Sequence, residues 1–450
     1  MSRFGQERAV VVGMGASGAA AAEVLAAEGA QVRVSEARPA SELTVPAVLA
    51  DLGVEVLAGG HDPAHLDGAT LVVTSPGVPQ DAPVLAWAVA RGLPIWGELE
   101  LGAQVCDVPY IAVTGTNGKT TTVELVAACL RAGGVDAVAC GNVGHPFPLA
   151  AREGHAALVV EASSFQLRFH LSFHPRISVL LNLAPDHLDW HGSFEAYAAA
   201  KARVYVNQGD GDTHIGNGDD PAAAAVSWAA PCPVRWFRTL RRPVDGEIGY
   251  DPDGELVSRM DHGARLGWVD GDRAGYRADA AAAAGAALGF GVAPESVAAA
   301  IAGFEPLRHR GETVAVVDGI RFIDNSKATN VHAALAAIDT LHGVVLIAGG
   351  VAKGVDLAPL LAARDRIAGV VAIGEAAPRL VALFEGVVPT RRAGSIEEAV
   401  SAARGLVAPG GAVLLAPACA SWDMFRDYAE RGDRFAAAAR ALTSEVGARG

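Results

Sequence analysis

One segment limits what this chain can fold into more than any other: YIAVTGTNGKTTTVELVAACLRA, residues 110–132. An apolar run at 110–113 enters a turn of glycine, threonine and asparagine, and a helical pattern runs from Lys119 to Ala132. Short β-branched runs of this kind are strands buried on both faces. A glycine-rich turn between such a strand and a helix N-terminus lines up backbone N–H groups as an anion cradle, and the helix end adds positive potential. Lys119 stands where an ammonium reaches the outer phosphates of a nucleotide, and Thr120 offers a hydroxyl to Mg2+. The strict phosphate loop has a glycine five positions before Gly118; Val113 stands there, so this is a shorter variant. The segment predicts bound ATP with Mg2+.

The same strand–helix rhythm recurs along the chain. Buried strands are predicted at 10–12, 32–34, 54–57 and 71–74, with a helix over 16–28 that stops at Gly29, a natural place for a positive φ. A second series starts at 110. A Gly/Asp-rich passage at 207–220 and a proline-punctuated stretch to about 272 read as loops and short irregular strands. The alanine-rich stretch 278–288 reads as a helix packed closely on its neighbours. A third series begins near 313, where runs at 314–317 and 320–323 flank Asp318-Gly319, a hairpin signal, and strands follow at 344–348, 369–373 and 412–415. The fold class expected is α/β in three domains: a Rossmann-like domain over 1–96, a central P-loop-type ATPase domain with a parallel sheet over 97–307, and a Rossmann-like α/β domain over 308–450.

Composition narrows the function. A net charge of −14 disfavours nucleic acid and anionic membranes as partners. The five cysteines form no CxxC pair and read as thiols of a reducing compartment. No apolar run reaches membrane-spanning length, and MSRFGQERAVVV lacks a signal-peptide core, so a cytoplasmic protein is expected. A monomer is the expected state, although no motif reports on it.

Two constellations carry further chemistry. At the start, Gly13-x-Gly15-x-x-Gly18 follows a strand, and Glu36 lies about 20 residues on, the spacing of a dinucleotide fingerprint with its ribose-binding acid. Alone, this motif reads as an NAD(P) oxidoreductase with a fused ATPase domain. Beyond the phosphate loop, Glu161 ends the apolar run 158–160. Asp186, His187, Asp189 and His191 crowd beyond another predicted strand at 180–183. Strand C-termini are where ligands sit in open α/β sheets, so this cluster is expected to form an Mg2+ site.

Taken together, TGTNGKTTT, EASSFQL, LNLAPDHLDWHGS with AAK behind it, LRHRGE, DNSKATN and PACASWDMF resemble the Mur ligases, nearest their glutamate-adding branch. The resemblance spans all three predicted domains in order. TGTNGKT alone is shared with folylpolyglutamate synthases and cyanophycin synthetases, whereas DNSKATN and PACASWDMF are far more specific.

The resemblance implies an ATP-dependent ligase of peptidoglycan synthesis acting on UDP-N-acetylmuramoyl-L-alanine and glutamate. The alanyl carboxylate would take the γ-phosphate to give an acyl phosphate, and the glutamate amine would displace phosphate. By the same resemblance Gly115, Thr116, Asn117, Gly118, Lys119, Thr120 and Thr121 would hold ATP, with Arg310, Asp324 and Lys327 on its far side. Two Mg2+ ions would be held by Thr120 and Glu161 and by His187. Lys201 would be carbamylated, a cation turned into a metal-binding anion, and with Lys119 and His187 would carry the chemistry. Gly15, Ala16, Ser17, Glu36, Arg38, Ser75 and Gly77 would receive the uridine end, Asn142 the diphosphate, and Ser163 and Gln166 the sugar–peptide. Thr329, Asn330, Lys353, Ser421 and Tyr428 would meet glutamate, Tyr428 replacing the family's usual phenylalanine. The family's adenine-side asparagines are here Tyr276 and Asp279. A paralogue adding L-glutamate, and a weakly catalytic relative, are further readings of these departures.

Overall fold

The computed structural model describes residues 2–260, 263–269, 275–305 and 307–447. Among these residues the strands form three sheets. The first contains β1 (Arg8–Val12), β2 (Gln31–Glu36), β3 (Glu55–Ala58), β4 (Leu71–Thr74) and β5 (Ile95–Gly97) in the order β3-β2-β1-β4-β5, all parallel. The second is built from β6 (Tyr110–Thr114), β7 (Ala137–Gly141), β8 (Ala157–Glu161), β9 (Ile177–Leu180), β10 (Thr213–Asn217), β11 (Val234–Arg238), β12 (Glu247–Tyr250), β13 (Glu255–Ser258) and β14 (Ala264–Trp268). Its order is β14-β13-β12-β11-β10-β9-β6-β8-β7, parallel except where β12, β13 and β14 pair antiparallel. The third joins β15 (Glu312–Val317), β16 (Ile320–Asp324), β17 (Val344–Gly349), β18 (Ile367–Ile373), β19 (Thr390–Arg392) and β20 (Ala412–Leu415) in the order β15-β16-β20-β17-β18-β19. Only the β15–β16 hairpin in it is antiparallel.

The helices that matter for the site are α1 (Ala16–Ala27), α2 (Glu98–Val105), α3 (Lys119–Ala132), α4 (Phe194–Ala202), α5 (Tyr276–Phe290), α6 (Val331–Asp339) and α7 (Tyr428–Gly447). No described helix is long and apolar enough to cross a membrane. The chain divides into two compact units. One comprises the chain to Leu183, Glu195–Trp268 and Ala278–Gly303; the other comprises Ala184–Phe194, Val269–Arg277 and the chain from Phe304 on. The first two sheets lie in the larger unit, the third in the smaller.

The parallel strands are buried because helices cover both faces, so they read as unbroken apolar runs: YIAVT, LVVT and AVLL are buried at every position. β3 differs from expectation. It is an edge strand, exposed at Glu55 and only half-buried elsewhere, because one of its sides meets no partner. The predicted strand at 180–183 begins where β9 ends; residues 181–183 form the loop after it. The stretch 207–272 is more ordered than expected: β10–β14 extend the central sheet, and residues 261–262 and 270–272 lie outside the described residues. Residues 280–284, 286 and 287 of α5 are fully buried alanines.

Each sheet has a point where the chain stops building in one direction and resumes on the other side, and the loops leaving the strands there open a crevice. In the first sheet this is between β1 and β4, in the second beside β6, and in the third between β17 and β20.

Candidate active site

At the first crevice the loop after β1 turns into α1 so tightly that a Cβ at Gly18 would sit 2.0 Å from the Gly13 carbonyl oxygen. Across the switch point, the Ser75 hydroxyl donates to that same oxygen at 3.1 Å, and Gly77 lies exposed beyond it. Gly15 caps α1 with no side-chain bond, which leaves the first-turn N–H groups of Ala16 and Ser17 for an anion.

Glu36 departs from its expected role. Its Oε2 accepts from the Met14 N–H at 2.6 Å and from Arg38 Nη2 at 3.1 Å. Its Oε1 accepts from Arg38 N at 2.8 Å and Nε at 3.1 Å. A carboxylate has about four lone-pair sites, and four donors fill them, so nothing remains for a ribose diol. The Arg38 side chain and backbone, with Met14, hold the Glu36 carboxyl down at about 2. Glu36 is thus a brace for the glycine loop, and the Arg38 guanidinium paired with it is half-exposed.

The phosphate loop stands at the second crevice. Gly118 has φ +85, and a Cβ there would lie 2.1 Å from Asp279 Oδ1, so both backbone and space require glycine. Lys119 Nζ donates to the carbonyls of Gly115 and Thr116, both at 3.0 Å. Lys201, on α4, is not the solvated lysine that a helical position suggests. It is 2 % exposed, donates to the Gly115 carbonyl at 2.7 Å, and lies 4.8 Å from the Tyr197 ring centroid. The Tyr197 hydroxyl in turn donates to Thr116 Oγ1 at 3.0 Å. Asn182, after β9, clamps the loop through Asn117 N to its Oδ1 at 2.8 Å and its Nδ2 to Asn117 O at 3.1 Å. Thr120 is half-buried and Thr121 buried on α3. Asn182 and Tyr197 were missed by motif reasoning. Their signal is place alone: the end of a buried strand, and one turn before Lys201.

Beside the loop, Glu161 ends β8 and is buried. Asn142 Nδ2 donates to its Oε1 at 2.9 Å, while Oε2 has no hydrogen-bond partner among the described residues. Asn142, expected at a diphosphate, thus spends one donor on Glu161. Gln166 Oε1 accepts from Ser163 N and Ser163 Oγ, both at 3.0 Å, which ties these two predicted residues into one hook.

In the smaller unit, Asp186 is 5 % exposed and receives Lys353 Nζ at 2.8 Å and Asn330 Nδ2 at 3.1 Å. Burial alone would push its carboxyl up, but the Lys353 ammonium, His187 and the Asn330 amide hold it below the usual range. Asn330 also caps α6, its Oδ1 accepting from Ala333 N at 2.9 Å, so one side chain fixes both the helix start and Asp186. The expected metal cluster at 186–191 is therefore not assembled as such. Asp186 is committed to Lys353 and Asn330, His187 Nε2 stands 3.7 Å from it, and among the described residues no three His, Cys, Asp or Glu side chains converge to hold a metal.

At the third crevice the loops after β17 and β20 are laced together, Val351 and Ala420 exchanging two N–H to carbonyl bonds at 2.9 Å each. Lys353 and buried Ser421 sit on these two loops. Lys327 Nζ lies 3.8 Å from the Tyr428 ring centroid, and Thr329 follows in the same turn, its N–H on the Lys327 carbonyl. Asp324 Oδ2 bonds His309 Nδ1 at 2.7 Å and Oδ1 accepts from Ser326 N at 2.9 Å; Asp324's hydrogen bond and charge raise His309 above the usual imidazole value. Arg310 follows His309, half-buried. Behind these, fully buried Arg431 donates to Ser326 Oγ at 2.9 Å, Ser326 O at 2.9 Å and Cys419 O at 3.1 Å, joining DNSKATN to PACASWDMF. Among the described residues, and apart from Asp318 in the hairpin turn, the non-glycine residues with positive φ are His187, His309 and Ala418, each inside one of the segments singled out in the sequence, and Lys353 in the loop after β17.

Three family models match in sequence: the N-terminal domain of MurD-like Mur ligases over 7–97, the Mur ligase middle domain over 113–239, and the Mur ligase glutamate ligase domain over 309–419. Proteins named UDP-N-acetylmuramoylalanine–D-glutamate ligase are similar along almost the whole length. The one from Frankia casuarinae is 44% identical, covering 96% of this chain and 93% of its own. That from Chlorobaculum tepidum is 40% identical, with 97% and 98% covered. Among solved structures, UDP-N-acetylmuramate-alanine ligase from Thermotoga maritima superposes with a TM-score of 0.61 at 17% identity, covering 97% of this chain and 100% of its own. A pseudomurein peptide ligase from Methanothermus fervidus gives 0.60 at 17%, covering 98% and 100%. With the sequence similarity running unbroken through all three sheets, the chain belongs to the Mur ligase family.

Proposed function

We propose that the chain is the ATP-dependent ligase that joins D-glutamate to UDP-N-acetylmuramoyl-L-alanine in peptidoglycan synthesis, the reaction for which its relatives are named, acting as a cytoplasmic monomer organised in three domains, 1–96, 97–307 and 308–450. The observation that carries the reading is the phosphate loop at the switch point of the central sheet, with two lysines, Lys119 and Lys201, on the carbonyl of its first glycine.

ATP supplies a leaving group to a carboxylate that is otherwise a poor acyl donor. The loop N–H groups and Lys119 bind the phosphates and offset the charge that gathers on them in transfer. The residues also fit Mg2+. Glu161 Oε2 is a buried carboxylate oxygen without a partner among the described residues, and Mg2+ needs only one or two protein ligands beside phosphate and water. Glu161 and Thr120 would hold one ion and His187 a second. Lys201 as a carbamate would keep one N–H for the Gly115 carbonyl and add an anionic ligand. Ala16, Ser17, Ser75, Gly77 and Arg38 would hold the uridine diphosphate, Ser163 and Gln166 the sugar–peptide. Lys353, Ser421, Asn330, Thr329 and Tyr428 would hold glutamate, with Arg310, Asp324 and Lys327 toward the nucleotide.

The test is phosphate release from ATP with UDP-N-acetylmuramoyl-L-alanine and either D- or L-glutamate. Release with D-glutamate is expected. Release with L-glutamate alone would make the chain the paralogue. Absence of release with both, alongside reduction of NAD without ATP, would overturn the ligase.

A further inference from the structure

Two acids on α2, two residues apart and each 1 % exposed, sit in different surroundings. Glu100 accepts from Leu171 N, Ser172 N and Ser172 Oγ at 2.7 Å each and from Gln104 Nε2 at 2.8 Å, all of which serve to anchor one loop. Glu98 instead takes one donor from each of two separate places. Gln166 Nε2 reaches its Oε2 at 3.0 Å and Phe147 N reaches its Oε1 at 3.2 Å. Phe147 follows the loop after β7 that carries Asn142, and Gln166 follows β8. The proposed function places the sugar–peptide on the segment after β8, and the sequence resemblance places the diphosphate on Asn142.

The chemistry of this junction is directional. The Ser163 N–H can only donate, so the Gln166 amide turns its oxygen to Ser163 and its NH2 inward, where Glu98 Oε2 accepts it. Burial pushes the Glu98 carboxyl up, and the donors on it oppose that rise. The Gln166 oxygen then takes both the backbone N–H and the hydroxyl proton of Ser163, while the Ser163 oxygen accepts from Gln166 N at 3.2 Å. With its proton committed, the Ser163 hydroxyl has only a lone pair to offer. It would accept from an amide N–H or a sugar hydroxyl and would not donate to a phosphate oxygen.

We infer that Glu98 is a positioning residue for the sugar nucleotide: it ties the loop after β7 to the segment after β8 and takes the inward Gln166 NH2, so that the Gln166 oxygen stays on Ser163 and Ser163 receives a donor group of the sugar–peptide. The inference rests on the ligase reading above. In Glu98→Gln, the single amide oxygen can accept from the Gln166 NH2 or from the Phe147 N–H but not from both, so one of the two ties is lost. The KM for UDP-N-acetylmuramoyl-L-alanine is expected to rise at least tenfold, with kcat at saturation and the KM for ATP changed less than threefold. In the exchange variant Glu98→Gln/Gln166→Glu, the amide at 98 donates to a carboxylate at 166, which still accepts from Ser163, and Phe147 N keeps an acceptor. That variant should bring the sugar-nucleotide KM at least threefold below that of Glu98→Gln. A structural role alone would leave the exchange variant as poor as the single one. If Glu98→Gln does not fold, recovery of both folding and KM in the exchange variant upholds the inference. Failure of the exchange variant to recover, or an unchanged KM in Glu98→Gln, overturns it. If the unsubstituted protein itself releases no phosphate with this substrate, the ligase reading has failed instead.

Discussion

Gly118→Ala perturbs the phosphate loop in two ways that can be separated. The residue has φ +85, where an alanine costs on the order of 1 kcal/mol. The added methyl also falls 2.1 Å from Asp279 Oδ1, well inside contact distance. The obstacle is the far end of a side chain and not backbone, so Asp279 turns aside; leaving its rotamer costs about 1 kcal/mol more. The total, about 2 kcal/mol, appears in one of two places. If the loop keeps its shape, it is lost from stability, and the unfolding temperature falls by a few degrees. If the loop relaxes, the nucleotide must restore its shape on binding, and ATP binds roughly 30-fold more weakly. Calorimetric titration of ATP and thermal unfolding measure the two shares. Adding Asp279→Ala in a double-mutant cycle should recover about half, the collision, and leave the half owed to φ. A combined loss below about 0.5 kcal/mol, or no coupling between the two positions, would refute this account of the loop.

Lys119→Ala should lower kcat by about a hundredfold or more while thermal unfolding stays near that of the parent, because the lost group acts on developing phosphate charge; a variant that keeps more than about a tenth of the rate would remove Lys119 from that role. Lys201→Ala should be inactive and regain turnover with added formate or acetate if a carbamate is the working group, and no rescue at any concentration argues for the plain lysine. Glu36 has a folded-state value near 2 against an ordinary 4.5, so its contribution to stability is complete above pH 4.5 and is lost as pH falls toward 2. Glu36→Gln should accordingly be less stable than the parent at neutral pH and show a shallower loss between pH 4.5 and 2; parallel acid-unfolding curves would count against the brace. Arg431→Ala removes three hydrogen bonds and a fully buried side chain and should cost about 3–5 kcal/mol in urea unfolding, whereas an effect under about 1 kcal/mol would mean that the two motifs hold together without it.

What the sequence made legible follows from burial. β6, β4 and β20 are covered on both faces, so every residue had to be apolar or small and the strands could be bounded almost to the residue. The Asp318-Gly319 hairpin was equally plain because both residues hold positive φ. The far side of the central sheet was not. There β11 is largely half-buried and β14 is exposed at Arg265 and Trp268, glycines interrupt the run at 246, 254 and 267, and the antiparallel pairing carries a register shift. In the site, residue types at strand ends were visible, but their partners were not. Nothing in the spacing says that Asp186 meets Lys353, which stands 167 positions away, or that Lys201 turns inward to a carbonyl 86 positions before it.

The glycine fingerprint shows why partners decide more than spacing. A Cβ at Gly18 would overlap the Gly13 carbonyl in any chain that packs a helix this close to its strand, whatever nucleotide binds there. The three glycines therefore report a close βα turn with free N–H groups at its mouth, and no more. The discriminating atoms are the oxygens of Glu36. In a dinucleotide site they must be open to a ribose; here two residues further on Arg38 takes three of the four lone-pair sites and Met14 the fourth. An acid at the right distance thus acquires the opposite use: it stiffens the loop from within. In the proposed function the anionic groups of the uridine diphosphate would meet the α1 N-terminus and its base or sugar the Arg38 guanidinium, an arrangement that does not require the diol contact that NAD needs.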